Sequence, residues 1–234
     1  MERRCKIQPM KVAILPVTPF QQNCFLLVDE TTNKAALVDP GGDLDHVLAA
    51  VKQSGAELEK IFITHGHVDH CGGTAELRKR TGLPVEGPHE EDGFWIEQIA
   101  ESGMRFGMGR LEPFVPDRWL QGGDTVTFGN VTLQVRHCPG HTPGHVIFYC
   151  ENDRLAIVGD VLFQGSIGRT DIPRGDYDAL IRSITTQLWP LGSDVTFIPG
   201  HGPVSTFGEE RETNSFVSDR ALAGMNHRGE ALGT

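Results

Sequence analysis

The chain has 234 residues and a formal net charge of −10. This charge argues against a nucleic-acid partner, because phosphate binding needs a basic surface. No apolar run is long enough to span a membrane, and the first residues lack the apolar core of a signal peptide, so we expect a cytoplasmic protein. We expect a single domain over residues 1–234, with residues 1–9 as a disordered tail.

Short apolar runs alternate with helical patterns in the first half of the chain. The runs predict strands at residues 12–15, 24–28, 35–39 and 60–63. Residues 44–51 carry apolar side chains at 44, 47, 48 and 51, which is the spacing of one helix face. A second helical pattern covers residues 75–80.

The second half repeats this plan. Residues 146–150 and 155–158 form a predicted hairpin, residues 177–184 a helix, and residues 195–198 a further strand. Two such halves predict two sheets packed face to face with helices outside, an αββα four-layer sandwich of the α/β class. Between the halves, residues 89–120 are predicted to be an inserted helix and a long rim loop.

The segment Thr64–His70 holds three histidines and one aspartate within six residues. It directly follows a predicted buried strand. Residues two apart on an extended segment point the same way, so His65 and His67 can converge on one point. Nitrogen and carboxylate oxygen ligands suit borderline metals such as zinc. The segment therefore predicts a metal site at the end of this strand.

Three further polar residues, each preceded by glycine, stand at or just after predicted strand ends: His141, Asp160 and His201. Glycine lets the backbone turn sharply and approach a ligand closely. Five histidines and two aspartates are enough ligands for two metal ions. The candidate metal ligands are His65, His67, Asp69, His70, His141, Asp160 and His201.

The motifs THGHVDH, PGHTPGH, GD and PGHG, in this order, closely resemble those of the metallo-β-lactamase superfamily, and within it the short forms of glyoxalase II. The resemblance covers roughly residues 10–215 and implies the αββα fold and two divalent ions. Zinc is the expected metal, with iron and manganese as alternatives. By motif, one metal takes His65, His67 and His141. The other takes Asp69, His70 and His201, with Asp160 bridging both.

Such a metal pair predicts thioester hydrolysis. Coordination lowers the pKa of water toward about 7, so a metal-bound hydroxide can attack the thioester carbonyl. A thiolate leaves readily, since a thiol pKa is about 8.5. Asp160 is expected to bridge the metals, and Asp69 to bind one of them and hold the proton of the hydroxide.

The resemblance implies a glutathione-derived thioester, S-lactoylglutathione, as the substrate. Arg169 stands where longer glyoxalase II enzymes have a basic residue for a glutathione carboxylate, and arginine suits bidentate carboxylate recognition. The alternative for Arg169 is a surface ion pair with Asp171 or Asp176. Only 33 of the 234 residues follow His201, and Pro203 stands where the long forms carry a tyrosine. Both departures weaken the expectation of tight glutathione binding.

Two other functions fit the same motifs. A persulfide dioxygenase shares the fold and would need one iron, which His65, His141 and Asp160 could hold. A non-catalytic metal-binding module is the alternative from another class. Structural zinc sites are usually closed by four protein ligands, so an open seven-ligand set argues against the module. A β-lactamase is disfavoured because many of those enzymes bind zinc through a cysteine at the position of Asp160.

The remaining cysteines and histidines are expected to be structural. Five cysteines without a CxxC pair predict reduced thiols, and Cys71 and Cys138 are expected as small buried residues and not as ligands. His145 is the one further histidine expected to contact a metal ligand. The others are predicted structural or surface residues: His46, His89, His137 and His227.

Overall fold

The amino-terminal half of the chain forms a five-stranded sheet. The computed structural model describes residues 10–224. The strands, in spatial as in chain order, are β1 (Met10–Val17), β2 (Gln22–Asp29), β3 (Lys34–Val38), β4 (Glu57–Phe62) and β5 (Val85–Glu86). The first three pair antiparallel and the last three parallel. Parallel neighbours need crossover connections, here helices α1 (Leu44–Ser54), α2 (Val68–Cys71) and α3 (Thr74–Thr81).

The carboxy-terminal half forms a six-stranded sheet, joined to the first by helices α4 (Gly93–Glu97) and α5 (Ile99–Arg105). Its strands are β6 (Thr125–Phe128), β7 (Val131–His137), β8 (Val146–Cys150), β9 (Leu155–Gly159), β12 (Thr196–Pro199) and β13 (Ser205–Thr206). The pair β9 and β12 is parallel, and the others are antiparallel. The connection from β9 to β12 carries the two-stranded β10 (Leu162–Phe163) and β11 (Ser166–Ile167) and helix α6 (Tyr177–Ser183). Helix α7 (Phe207–Thr213) follows β13.

The two sheets pack face to face through apolar side chains. Phe25 and Phe62 of the first sheet lie in one cluster with Phe128, Phe148 and Ile157 of the second, and the Phe62 and Phe148 ring centroids are 5.6 Å apart. Burying each such side chain contributes about 1.5–3 kcal/mol. Helices α1 and α3 cover the outer face of the first sheet, and helices α6 and α7 that of the second. The predicted αββα sandwich is confirmed.

The predicted strands and helices match observed elements, but the structure has further elements. The antiparallel pair β6–β7, the two-residue strands β5, β10, β11 and β13, and helix α7 were not predicted. Residues 68–71 form one turn of helix, so Asp69 and His70 are helical. The inserted segment 89–120 contains two short helices instead of one. The expected tail at residues 1–9 lies outside the described residues, and the single-domain assignment stays a prediction.

The structure also bears on the state of the cysteines and on membrane-spanning helices. Cys24, Cys71, Cys138 and Cys150 are buried free thiols, in agreement with the expected reduced state. Within residues 10–224, no helix is both long and apolar enough to cross a membrane.

Gly140 fixes the loop that presents His141. Its φ is 139°, and a Cβ at this position would lie 2.3 Å from the backbone nitrogen of Leu180 in α6. We expect Gly140→Ala to lower the free energy of unfolding by about 2 kcal/mol or more, because both the backbone angle and the close approach oppose it. Denaturant unfolding measures this loss.

Gly55 provides the matched control. It also has a positive φ, 70°, but a Cβ there would meet nothing within 4 Å. Gly55→Ala should cost only the backbone penalty of about 1 kcal/mol. Equal losses for the two variants would contradict the role of the close contact with α6.

Candidate metal centre

The loop that leaves β4 brings two imidazoles together. Nε2 of His65 lies 3.1 Å from Nδ1 of His67. The backbone of His67 is extended (φ −69°, ψ 147°), and helix α2 begins at the next residue. That turn of helix points Asp69 and His70 toward a second point beside the first. One short segment therefore supplies four of the seven predicted ligands.

His141, from the loop between β7 and β8, completes the first group. Its Nε2 lies 3.0 Å from Nδ1 of His67. Its Nδ1 donates to the carbonyl of Arg169 at 2.8 Å, which leaves Nε2 as a bare acceptor. Nδ1 of His65 lies 3.0 Å from the Thr64 hydroxyl, whose own proton goes to Asp39. Nε2 of His65 is therefore bare as well.

The second group consists of Asp69, His70 and His201. Nε2 of His201 lies 3.1 Å from Oδ2 of Asp69. Asp160, at the end of β9, stands between the two groups. Its Oδ1 is 3.3 Å from His70 Nε2, and its Oδ2 is 3.6 Å from His141 Nε2 and 3.7 Å from His201 Nε2. The structure thus brings all seven predicted side chains together.

The first group consists of neutral imidazoles. Burial, together with the neighbouring imidazoles, lowers the pKa of His65 and of His141, and lowers that of His67 to about 3. Nε2 of His65 and Nε2 of His141 both face Nδ1 of His67 as acceptors. A single proton on Nδ1 can be donated to only one of them. At least one buried nitrogen in this group therefore needs an electrophile other than a proton.

In the second group carboxylates face imidazoles. Burial disfavours the charged forms of His70 and His201, but the facing carboxylates outweigh it and raise the pKa of both imidazoles. Burial alone would raise the pKa of Asp69 and Asp160, yet the facing imidazoles lower both. The two carboxylates thus favour positive charge beside them, which a bound cation would supply.

These residues fit divalent metal ions. His70 Nε2 and Asp160 Oδ1 are buried and lack hydrogen-bond partners among the described residues. Buried polar atoms are normally satisfied, so this pair indicates a missing partner. Imidazole nitrogen and carboxylate oxygen suit zinc, iron and manganese. Divalent ions at this His/Asp site agree with the sequence-based expectation.

Asp39, which sequence analysis missed, orients ligands of the centre through hydrogen bonds. It follows β3 with φ 53°, accepts hydrogen bonds from the Thr64 amide and hydroxyl, and pairs with Nδ1 of His70 at 2.9 Å. Carboxylates that bind the outer nitrogen of a histidine fix its orientation and basicity. An aspartate directly after a buried strand was the signal that could have revealed it.

His145 also contacts ligands, as expected. Its ring stacks on His65 with centroids 4.5 Å apart, and its Nε2 accepts from the Asp160 amide at 3.0 Å.

Asp92 connects the two histidine loops. Its buried carboxylate accepts hydrogen bonds from the Gly66 amide (2.8 Å), the Gly144 amide (2.6 Å) and the Thr142 hydroxyl (2.8 Å). Burial raises the pKa of Asp92 to about 6 despite these three donors. The inserted segment thus reaches into the site, and no local sequence signal identified this residue.

His89 and His137 lie outside this centre. Their rings stack with centroids 4.3 Å and planes 12° apart. Imidazole lone pairs lie in the ring plane, so two parallel rings direct them along separate lines. Nε2 of His137 also lies 2.8 Å from the Pro143 carbonyl and donates to it. This contact occupies one ring nitrogen of His137, and the structural or surface role of the pair stays a prediction. His46 is exposed, and His227 lies outside the described residues.

Arg169 makes the surface ion pair that was the alternative for this residue. Its guanidinium bonds both oxygens of Asp171 at 2.8 and 3.0 Å, and its side chain is 66% exposed. Its backbone carbonyl accepts from His141, so the residue lies at the rim of the centre.

The sequence of this chain is similar to those of known proteins. The sequence model of the metallo-β-lactamase superfamily matches residues 17–201. The chain is 42% identical over 213 residues to the hydroxyacylglutathione hydrolase GloC of Haemophilus influenzae, covering 91% of this chain and 100% of that protein.

Two crystal structures share the fold. BLEG-1 B3 metallo-β-lactamase superposes with a TM-score of 0.81 at 32% identity, over 88% of this chain and 99% of that one. TTHA1623 in a di-iron-bound form superposes with a TM-score of 0.80 at 36% identity, over 88% of this chain and 100% of that one.

We expect Asp92→Asn to loosen the centre without removing a ligand. The amide group would face donors, leaving at least one of them buried and unsatisfied at a cost of about 1–3 kcal/mol. Metal affinity should fall about 10–100-fold, as for other residues that support ligands. Thermal unfolding and metal titration measure both effects. Glu90→Gln, an exposed change of the same charge two residues away, is the control. Unchanged metal affinity in Asp92→Asn would contradict this role.

Proposed function

The chain belongs to the metallo-β-lactamase superfamily, is similar to glyoxalase II and is a metal-dependent hydrolase; from this premise we propose that it hydrolyses thioesters with two divalent ions. S-Lactoylglutathione is the proposed substrate. Zinc is the proposed metal, with iron and manganese as alternatives.

The position of the Asp160 carboxylate carries the dinuclear proposal. One oxygen faces His70 and the other faces His141 and His201, so a single side chain reaches ligands of both groups. A mononuclear site would leave one group of three ligand atoms without a cation. The similarity to GloC of Haemophilus influenzae supports a thioester of glutathione as the substrate.

The protein side chains position and hold protons in this reaction. When bound, the divalent ions supply a water of lowered pKa and a Lewis acid for the thioester carbonyl. Asp69, whose Oδ2 lies 3.1 Å from Nε2 of His201, is the proposed acceptor for the proton of the attacking water. Asp160 neutralises positive charge between the two groups. The leaving thiolate needs no general acid, because a thiol with a pKa of about 8.5 is a good leaving group.

The metal proposal predicts two ions per chain and activity that depends on both. His67→Ala removes a ligand of the first group and Asp160→Asn the shared carboxylate, so each should lose metal and at least about 100-fold in activity, more than loss of a supporting residue costs. Elemental analysis and anaerobic hydrolysis of S-lactoylglutathione measure these losses. His46→Ala, which removes an exposed histidine, is the control.

The same experiment separates hydrolysis from persulfide oxidation. A hydrolase cleaves the thioester without oxygen. Full activity with one ion per chain would contradict the dinuclear site. Oxygen consumption with glutathione persulfide, together with intact S-lactoylglutathione, would contradict the hydrolase and favour a mononuclear iron dioxygenase.

Arg169 is proposed to bind a substrate carboxylate, and its ion pair with Asp171 makes this testable. The pair is exposed and therefore weak, so a substrate carboxylate can displace it. Asp171→Asn should lower KM for S-lactoylglutathione up to about fivefold, because it frees the guanidinium, and Arg169→Ala should raise KM. Steady-state kinetics measure both. Parallel changes in both variants, or none, would assign Arg169 to the surface alone.

A further inference from the structure

Arg174 is a second arginine on the rim, in the loop between β11 and α6. Its guanidinium carbon lies 4.0 Å from the centroid of the Phe94 ring. Among the described residues no carboxylate pairs with it, in contrast to Arg169. Its φ is 62°, in the left-handed region that side chains other than glycine rarely adopt. Such a backbone persists only where its surroundings hold it in place.

The Phe94 ring connects Arg174 to the metal centre. Phe94 packs against Trp95 with centroids 5.4 Å apart, and Trp95 packs edge-on against His67 at 4.7 Å. The loop of Arg174 is also tied to the loop of His141, since the amide of Asp176 donates to the carbonyl of Gly140 at 2.8 Å. Two aromatic rings therefore separate Arg174 from the imidazole of His67.

We propose that Arg174, held on the face of Phe94, binds a carboxylate on the thiol half of the substrate, so that the enzyme selects thioesters of anionic thiols. This rests on the proposed thioester hydrolysis. Stacking on a ring occupies the face of a guanidinium and leaves its N–H edge free for bidentate bonds to a carboxylate. A net charge of −10 would otherwise repel such a substrate.

The opposite rim agrees with this orientation. On the other side, Phe20 and Phe106 pack edge to face at 5.8 Å, and the Phe20 carbonyl contacts His201. The uncharged acyl half then lies on that aromatic side.

The test compares an anionic with a neutral thioester. Arg174→Ala should raise KM for S-lactoylglutathione about tenfold or more at nearly constant kcat, the loss expected for a hydrogen bond to a charged group. KM for the neutral S-acetyl-N-acetylcysteamine should change less than about twofold, since it lacks the carboxylate. Arg174→Lys should recover part of the loss, and Phe94→Leu should reproduce part of it. Arg182→Ala, an exposed arginine on α6, is the control.

Binding of S-methylglutathione, measured by calorimetry, separates this inference from the proposed function. A wild-type protein that cleaves no thioester but binds S-methylglutathione about tenfold or more tighter than Arg174→Ala would overturn the function and support the carboxylate contact. A wild-type protein that cleaves S-lactoylglutathione, with Arg174→Ala unchanged in KM and binding, would overturn the contact alone. Equal losses on the anionic and neutral substrates would also overturn it.

Discussion

The structure depends on one electrostatic constraint: bare imidazole nitrogens and carboxylate oxygens converge where only positive charge can hold them together. His65, His67 and His141 face one another at about hydrogen-bond distance as neutral rings, while facing imidazoles lower the pKa of Asp69 and of Asp160. Each ligand stands just beyond the end of a strand, in a loop or, for Asp69 and His70, in helix α2. The parallel neighbours β9 and β12 deliver Asp160 and His201 to the same edge of the second sheet. The segment after β4 of the first sheet meets them there, since His70 Nε2 lies 3.3 Å from Asp160 Oδ1.

The ligands themselves could be predicted because their signal is local. His65, His67 and His70 lie within six residues, and glycine precedes Asp160 and His201 directly. The residues that support them act across the chain: Asp39 meets Thr64 over 25 positions and Asp92 meets Thr142 over 50. The position of Asp39 directly after a strand is a local signal for a functional residue, but no local spacing encodes which residues Asp39 and Asp92 contact.

Element lengths explain the remaining differences between sequence and structure. Helices of five and seven residues in the inserted segment are too short to show a helical period, so one helix was predicted where two exist. In β6, buried Val126 and Phe128 alternate with exposed Thr125 and Thr127, and a turn at Gly129 leads into β7. That two-residue period was readable from the sequence. The two-sheet arrangement followed from the paired halves, whereas the strand order and the direction of each side chain depended on tertiary packing.

The hydrogen bonds of Asp92 have a consequence for how the chain folds. Gly66 belongs to a loop of the first sheet and Thr142 to a loop of the second, so one carboxylate spans the seam between the two halves. The group formed by His65, His67 and His141 spans the same seam. Neither half alone carries a full set of ligands, so only the docked sheets can coordinate an ion fully, and a bound ion would hold the two halves together.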